Sequence, residues 1–185
     1  MASVFGHVAA SSALGYAFFR KETRPATYIL AGFLAFLPDL DVLAFRFGIS
    51  YGSQWGHRGW THSLLFTALV GLFTALIFNA FQKEQTRSSS FRIILWFVVS
   101  AVSHPVLDMM TNGGRGCAFW WPFSVERIFL PWRPILVSPL GAGAFFSEWG
   151  LRVLFSELIW IGLPGILLAL LSRKGAKVFT RDAGA

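Results

Sequence analysis

Five stretches of this chain are long, apolar and nearly free of charge, and they limit its possible folds more than any other feature. They run over residues 3–19, 26–47, 62–81, 91–110 and 151–171. A helix needs about 20 mostly apolar residues to cross hydrocarbon at 1.5 Å per residue. Each stretch is close to that length, and the first is the shortest. Composition agrees. Only 14% of the 185 residues are charged while 55% are hydrophobic, against about a quarter charged in soluble domains. Mean hydropathy is +0.57. The chain therefore reads as an all-α integral membrane protein, a single membrane domain over 1–185 with about five transmembrane helices. Residues 111–150, rich in Gly, Pro and Trp, read as an irregular cap at the membrane surface. Trp120, Trp121, Trp132 and Trp149 suit the interfacial aromatic belt.

No repeat or low-complexity segment stands out, and the nearest thing to a linker is QKEQTRSSS, residues 82–90. The N-terminus lacks the basic n-region of a cleaved signal. Cys117 is the single cysteine, so no intrachain disulfide forms, and it is expected to pack beside Trp120 and Trp121.

The net charge of +7 reads as lysines and arginines on cytoplasmic loops, so no nucleic-acid partner is expected. Threading the five segments puts Arg20, Lys21, Arg24, Lys83, Arg87, Arg92, Arg173, Lys174, Lys177 and Arg181 on one side. Arg46, Arg58, Arg115, Arg127, Arg133 and Arg152 fall on the other. The ten-residue side is expected to be cytoplasmic, with the C-terminus. The same threading puts His7, Asp39, Asp41, His57, His62, His104 and Asp108 on the opposite, outer side. Those are all four histidines and every aspartate except Asp182.

A charge inside a membrane segment costs roughly 2.5–3.5 kcal/mol on insertion scales. Asp39, Asp41 and Asp108 must therefore be paired, wet or metal-bound. His104 and Asp108 are four apart, which puts both on one helix face. Pro105 between them is expected to disturb the helix and admit water, and Pro38 to loosen the second helix. In GHRGWTHS, residues 56–63, Gly56 and Gly59 permit a sharp turn. Thr61 is a candidate N-cap whose helix start would favour an anion. Arg58 suits two-pronged contact with phosphate or carboxylate. This mixture of nitrogen and oxygen donors suits zinc, manganese or iron better than magnesium. No G-x-S-x-G, P-loop or H-E-x-x-H is present, so serine hydrolase, P-loop and zincin chemistries are not indicated.

LPDLDVLAFRFGISYGSQWGHRGWTHSLLF, SHPVLDMMTNGGRG and WWPFSVERIFLPWRPI together resemble the bacterial YbcI/YdjM-type inner-membrane proteins. The resemblance runs from His7 to about the fifth segment. It implies a membrane-bound, metal-dependent hydrolase. More distantly the family resembles the zinc-dependent phospholipase C and P1 nuclease group. That likeness implies one metal site from His104, Asp108, one of Asp39 and Asp41, and one of His57 and His62. His7 with a bridging Asp108 would help form a second. The chain departs from that group in having Met1 where an N-terminal Trp ligand stands, and no His after His104. One or two divalent ions are therefore expected, zinc first, with manganese or iron as alternatives.

The resulting expectation is a hydrolase of the bacterial inner membrane with its active face outward. It would cleave a phosphoester of a lipid or lipid-linked substrate with metal-activated water. Metal ligands are expected among His7, Asp39, Asp41, His57, His62, His104 and Asp108. Asp41, Arg58 and Asp108 are expected in catalysis, and Arg58, Arg115 and Arg127 on substrate phosphate. Two other readings compete: a membrane transporter handling protons or metal ions, and a non-catalytic protein with a structural metal.

Overall fold

The computed structural model describes residues 1–22, 24–82 and 86–182, with side chains described as far as Ser172 except Ala142. Lys83 and the side chains of Arg173, Lys174, Lys177, Arg181 and Asp182, read above for sidedness, lie outside the described residues. The architecture is helical, with no strand among the described residues. In a bilayer every backbone polar group must be satisfied within the chain, which a helix does locally.

α1 is Val4–Phe18, capped by Ser3, whose hydroxyl accepts from the Gly6 N–H. α2 is Pro25–Phe36 and passes directly into a 3-10 helix, Leu37–Phe47. The change falls at Pro38, whose ring removes an amide and crowds the preceding turn. α3 is Leu64–Ala80. Its N-cap is Ser63, not the expected Thr61: the Ser63 hydroxyl accepts from Phe66 N, while Thr61 closes a separate 3-10 turn, Trp60–His62. α4 is Arg87–Met109 with Thr86 as N-cap. Half of the expected linker is thus the first turn of this helix. The short α5, Ala142–Phe145, and α6, Glu148–Glu157, follow the cap. α6 runs through a π-turn, Leu158–Gly162, into α7, Leu163–Asp182. The last helical stretch therefore starts before and ends beyond the expected 151–171.

Three helical stretches are long and apolar enough to cross a membrane: Pro25–Phe47, Arg87–Met109 and Glu148–Ser172. α1 and α3 are shorter apolar helices of 15 and 17 residues. α3 packs along α4, α1 and α2 also pack against α4, and α7 lies on α1. Trp96 and Phe97 are fully buried between them, with Phe19, Leu34 and Ile93. Glycine permits this closeness: a Cβ on Gly15 would lie 2.2 Å from the Trp96 ring, and one on Gly71 would lie 2.8 Å from Phe97 O. Small residues let helix backbones approach in membranes. Phe73, Phe91 and Leu167 face outward, as hydrocarbon solvent allows.

α4 continues through Pro105 to Met109, and Pro105 is buried. The expected opening to water at that proline does not occur, because the surrounding segments close over it. Residues 111–150 fold back over the end of α4 as irregular chain. Isolated bridges join Thr111 to Ile135 and Cys117 to Ile128, and Leu130 N donates to Met109 O at 3.0 Å. The cap is not wholly irregular, since α5 and the first turn of α6 lie within it.

Candidate metal centre

Four segments bring their ionisable groups to one end of the bundle. α1 supplies His7, the 3-10 helix supplies Asp39 and Asp41, the 48–63 loop supplies His57, Arg58 and His62, and the last turns of α4 supply His104 and Asp108. The loop can turn back on itself because of two glycines. A Cβ on Gly56 would sit 2.1 Å from Ser50 O, and one on Gly59 would sit 2.1 Å from Gln54 O. Arg58, between them, has φ +62°, a left-handed conformation uncommon for a side-chain-bearing residue and costly unless its surroundings hold it.

One donor set joins Asp39, His62, His104 and Asp108, all buried, with one ligand atom from each within 4.8 Å of the others. The His104 ring donates from Nδ1 to Ala35 O at 2.7 Å. A carbonyl only accepts, so Nε2 keeps its lone pair. The His62 Nδ1 lies 3.0 Å from the Thr61 hydroxyl oxygen, whose own proton goes to Asp41, so Nδ1 donates to it and Nε2 is left as the acceptor. These two Nε2 atoms are 3.0 Å apart. Facing lone pairs repel unless a cation or a proton lies between them.

The carboxylates complete the set. Asp39 Oδ1 lies 3.4 Å from both His62 Nε2 and His104 Nε2, yet neither Asp39 oxygen has a hydrogen-bond partner. Asp108 Oδ1 accepts from Ala2 N at 2.8 Å and lies 3.3 Å from His7 Nε2. Asp108 Oδ2 lies 3.0 Å from Arg58 Nε and 3.6 Å from His62 Nε2. The Met1 nitrogen is 3.9 Å away from it. His7 stacks on His104 at 4.0 Å between ring centres, and both its ring nitrogens are buried without a hydrogen-bond partner.

A second set joins Asp41, His57 and His62. Asp41 is already saturated. Its Oδ1 is 2.6 Å from His57 Nδ1, and its Oδ2 accepts from the Thr61 hydroxyl at 2.6 Å and from Arg58 N at 3.2 Å. The hydroxyl expected to cap α3 is therefore used on Asp41. The start of α3 has its own acceptors, since Leu64 N donates to Phe119 O and Phe66 N to the Ser63 hydroxyl. The anion expected there has fewer free amides to meet.

The arginines differ in their contacts. Arg58 is fully buried. It is ion-paired with Asp108 and donates to Gly113 O and to the Thr111 hydroxyl, each at 3.0 Å. Arg127 donates to His57 O, Tyr51 O and Ser53 O at 2.7–2.9 Å and lies over the Tyr51 ring. Burial lowers its pKa and raises that of the Tyr51 phenol. Arg115 also stacks on Tyr51, 5.6 Å from the ring centre.

Glu157 was missed by the sequence reading. It is buried, and its carboxylate accepts from the Ser3 hydroxyl at 2.6 Å and from the Ser3 amide. That contact fixes the segment that places Ala2 against Asp108. The available signal was a lone acid inside an apolar run, which marks a site by default in a membrane. A cleft of about 470 Å³ reaches the edge of the cluster, with Leu40, Phe47, Trp55 and Trp60 as walls and Asp41 and Thr61 among its lining.

Over residues 1–178 the chain matches the family model described as YdjM inner membrane protein. It is 40% identical over 168 residues to inner membrane protein YbcI of Escherichia coli (strain K12), covering 91% of this chain and 95% of that relative. No solved structure matches it.

Proposed function

The chain belongs to the YdjM inner membrane protein family, and from that premise we propose that it is a metal-dependent phosphoester hydrolase acting at the membrane. The observation that carries the reading is the His62–His104 pair, two Nε2 atoms 3.0 Å apart with an unpartnered Asp39 carboxylate 3.4 Å from each. In a tetrahedral zinc site with bonds of 2.0–2.1 Å, neighbouring nitrogens lie about 3.3 Å apart, so the residues fit such an ion. Asp39, His62, His104 and Asp108 would hold it, with His7 beside them. The N/O donors favour zinc, then manganese or iron. A bound divalent ion would supply Lewis acidity and acidify a water.

The other residues have supporting parts. Ala35 O fixes the tautomer of His104 and Asp41, through the Thr61 hydroxyl, that of His62, the outer-shell arrangement that orients metal-binding imidazoles. Arg58 holds Asp108 and offsets its charge. Asp41, which lines the cleft, and the buried His57, 2.6 Å from it, form a pair suited to moving a proton. They could hold a second ion only by giving up existing hydrogen bonds. Among the arginines expected on phosphate, Arg115 has the fewest protein acceptors described, so it is assigned that contact ahead of Arg58 and Arg127. The charge bias puts this end of the bundle outside the cytoplasm and the C-terminus inside. The substrate is a phosphoester of a lipid or lipid-linked molecule.

One observation favours a second reading. Every residue of the first set is at most 5% exposed, as in closed sites where a metal only joins segments. Metal content by mass spectrometry on detergent-purified protein, beside a His104→Ala, Asp108→Ala double variant, tests both. Stoichiometric metal lost in the variant, with turnover in a phosphoester panel, is the expected result. Equal content in the two proteins overturns the metal site. Retained metal without turnover, and a fall in Tm on chelation, selects the structural reading.

A further inference from the structure

An apolar groove of about 630 Å³ lies along the bundle below the cluster. α1 and α4 line its floor, and α3 and α7 its flanks. Its upper end is marked by Ala10, Leu64 and Leu107, which stand three, two and one residues from His7, His62 and Asp108. From there the lining runs away from the cluster along every helix, to Leu14, Ala68, Val98 and Leu168. The α4 portion, Val98 to Leu107, covers about 13 Å at 1.5 Å per residue.

Its dimensions and chemistry limit the occupant. A packed helix needs a face about 10 Å wide along most of a hydrocarbon layer about 30 Å thick, and this groove is less than half that long. A polar solute would find little to bind, because the one hydroxyl-bearing residue in the lining, Ser103, already donates to Ser100 O at 2.7 Å. Flexible hydrocarbon, which needs no hydrogen bonds, fits a short apolar trough at bilayer depth. We propose that the groove seats one acyl chain of a membrane phospholipid and so brings its phosphoester headgroup to the His/Asp cluster. The placement of the headgroup rests on the metal-centre reading above; the seating of the chain does not.

The test uses the full chain reconstituted in phosphatidylethanolamine–phosphatidylglycerol vesicles. These contain a trace of phospholipid with a diazirine near the end of one acyl chain. After irradiation, peptides are mapped by mass spectrometry. Labelling is expected to concentrate several-fold at Ala68, Val102 and Leu168 over the lipid-facing Phe73, Phe91 and Leu167. Filling the groove with Ala68→Leu, or independently Val102→Phe, should return it to the level of those controls. A variant with the wild-type elution profile and Tm in detergent counts as folded, and metal content is measured on the same samples. Even labelling over all lipid-facing residues overturns the proposal. So does concentrated labelling unchanged in both filled variants, and so does exclusion of the probe by a second copy cross-linked across the groove. Loss of metal from the wild type with groove labelling intact refutes the metal-centre reading instead and leaves the seated chain standing.

Discussion

The two ends of this bundle both bury charge, and they do so differently. At one end Glu22 meets Arg92 at 2.8 Å, and the same guanidinium reaches Phe18 O at 2.7 Å. One acid faces one base, and Arg92 keeps 37% of its side chain exposed. At the other end, about 20 Å along α1 and α4 at helical rise, Asp39, Asp41 and Asp108 face a single guanidinium, Arg58, and four imidazoles. Both Asp39 oxygens, both His7 nitrogens and Asp108 Oδ2 are buried without a hydrogen-bond partner, against one Glu22 oxygen, Oε2, in the pair at the first end. A nearly matched pair fastens helices together. A surplus of buried donor atoms aimed at one point costs free energy unless a cation collects them. That difference separates a structural contact from a candidate site.

The largest expected effect breaks the comparison at its centre. The His104→Ala, Asp108→Ala protein is expected to lose its metal to background. A Glu22→Gln protein, altered at the other end, should keep wild-type content by the same mass-spectrometric assay. Loss of metal from both would mean that the ends are not independent. Next is stability. Removing one partner of a fully buried ion pair costs about 3–5 kcal/mol, and Arg58→Ala should show a loss of that order in chemical denaturation in detergent micelles. Arg92→Ala leaves the buried Glu22 carboxylate without its partner, but the arginine is itself part-exposed and water can take its place, so the loss should be smaller, about 1–3 kcal/mol. Similar losses at the two ends would remove the distinction drawn between them.

A smaller effect tests the outer shell. Asp41→Asn keeps the shape but weakens the hold on His62 and His57. Loss of such a partner typically lowers metal affinity about 10–100-fold. Competition with a chromophoric chelator measures it. A complete loss of metal would make Asp41 a direct ligand, and no change would leave it as loop structure only.

The sequence revealed the bundle where apolar runs are long and uninterrupted, and it revealed the cluster because few ionisable residues survive inside such runs. It misled where a short polar stretch has two uses. Thr86 and the serines after it look like linker, yet the Thr86 hydroxyl accepts from Ser89 N at 3.2 Å and begins α4. Thr61 looks like a helix cap, but Asp41 claims its hydroxyl, which is decided by a contact 20 residues away. Pro105 looks like a breach, but packing from neighbouring segments closes it. Glu157 carries the same mark, a lone acid in an apolar run, but its partner Ser3 stands 154 residues away, so nothing near it in sequence shows what it holds. The positive φ of Arg58 leaves no trace in composition, because tertiary contacts with Asp108, Thr111 and Gly113 impose it. Local chemistry is legible in such a chain; which partner wins a shared hydroxyl or carboxylate is settled by the fold.

The smallest expected signal comes from the cap. Cys117 is fully buried, its amide and carbonyl are both paired with Ile128, and burial pushes its thiol up to about 12. A raised pKa disfavours the thiolate. At pH 8 only about one thiol in 10⁴ would be ionised, against roughly a quarter for a free cysteine. Maleimide should therefore leave the native protein unlabelled and modify it fully in SDS. This cysteine also reports on the cluster. Ala118 N donates to Arg58 O at 3.0 Å, and the Arg58 side chain is held by Asp108. If a metal ties Asp108 to Asp39 and the histidines, chelation should loosen that anchorage and raise the labelling rate several-fold. Labelling that stays equally slow after verified metal removal would mean that Arg58 and the Ile128 bridge hold the cap without the metal, and that the metal does not fasten this end of the molecule.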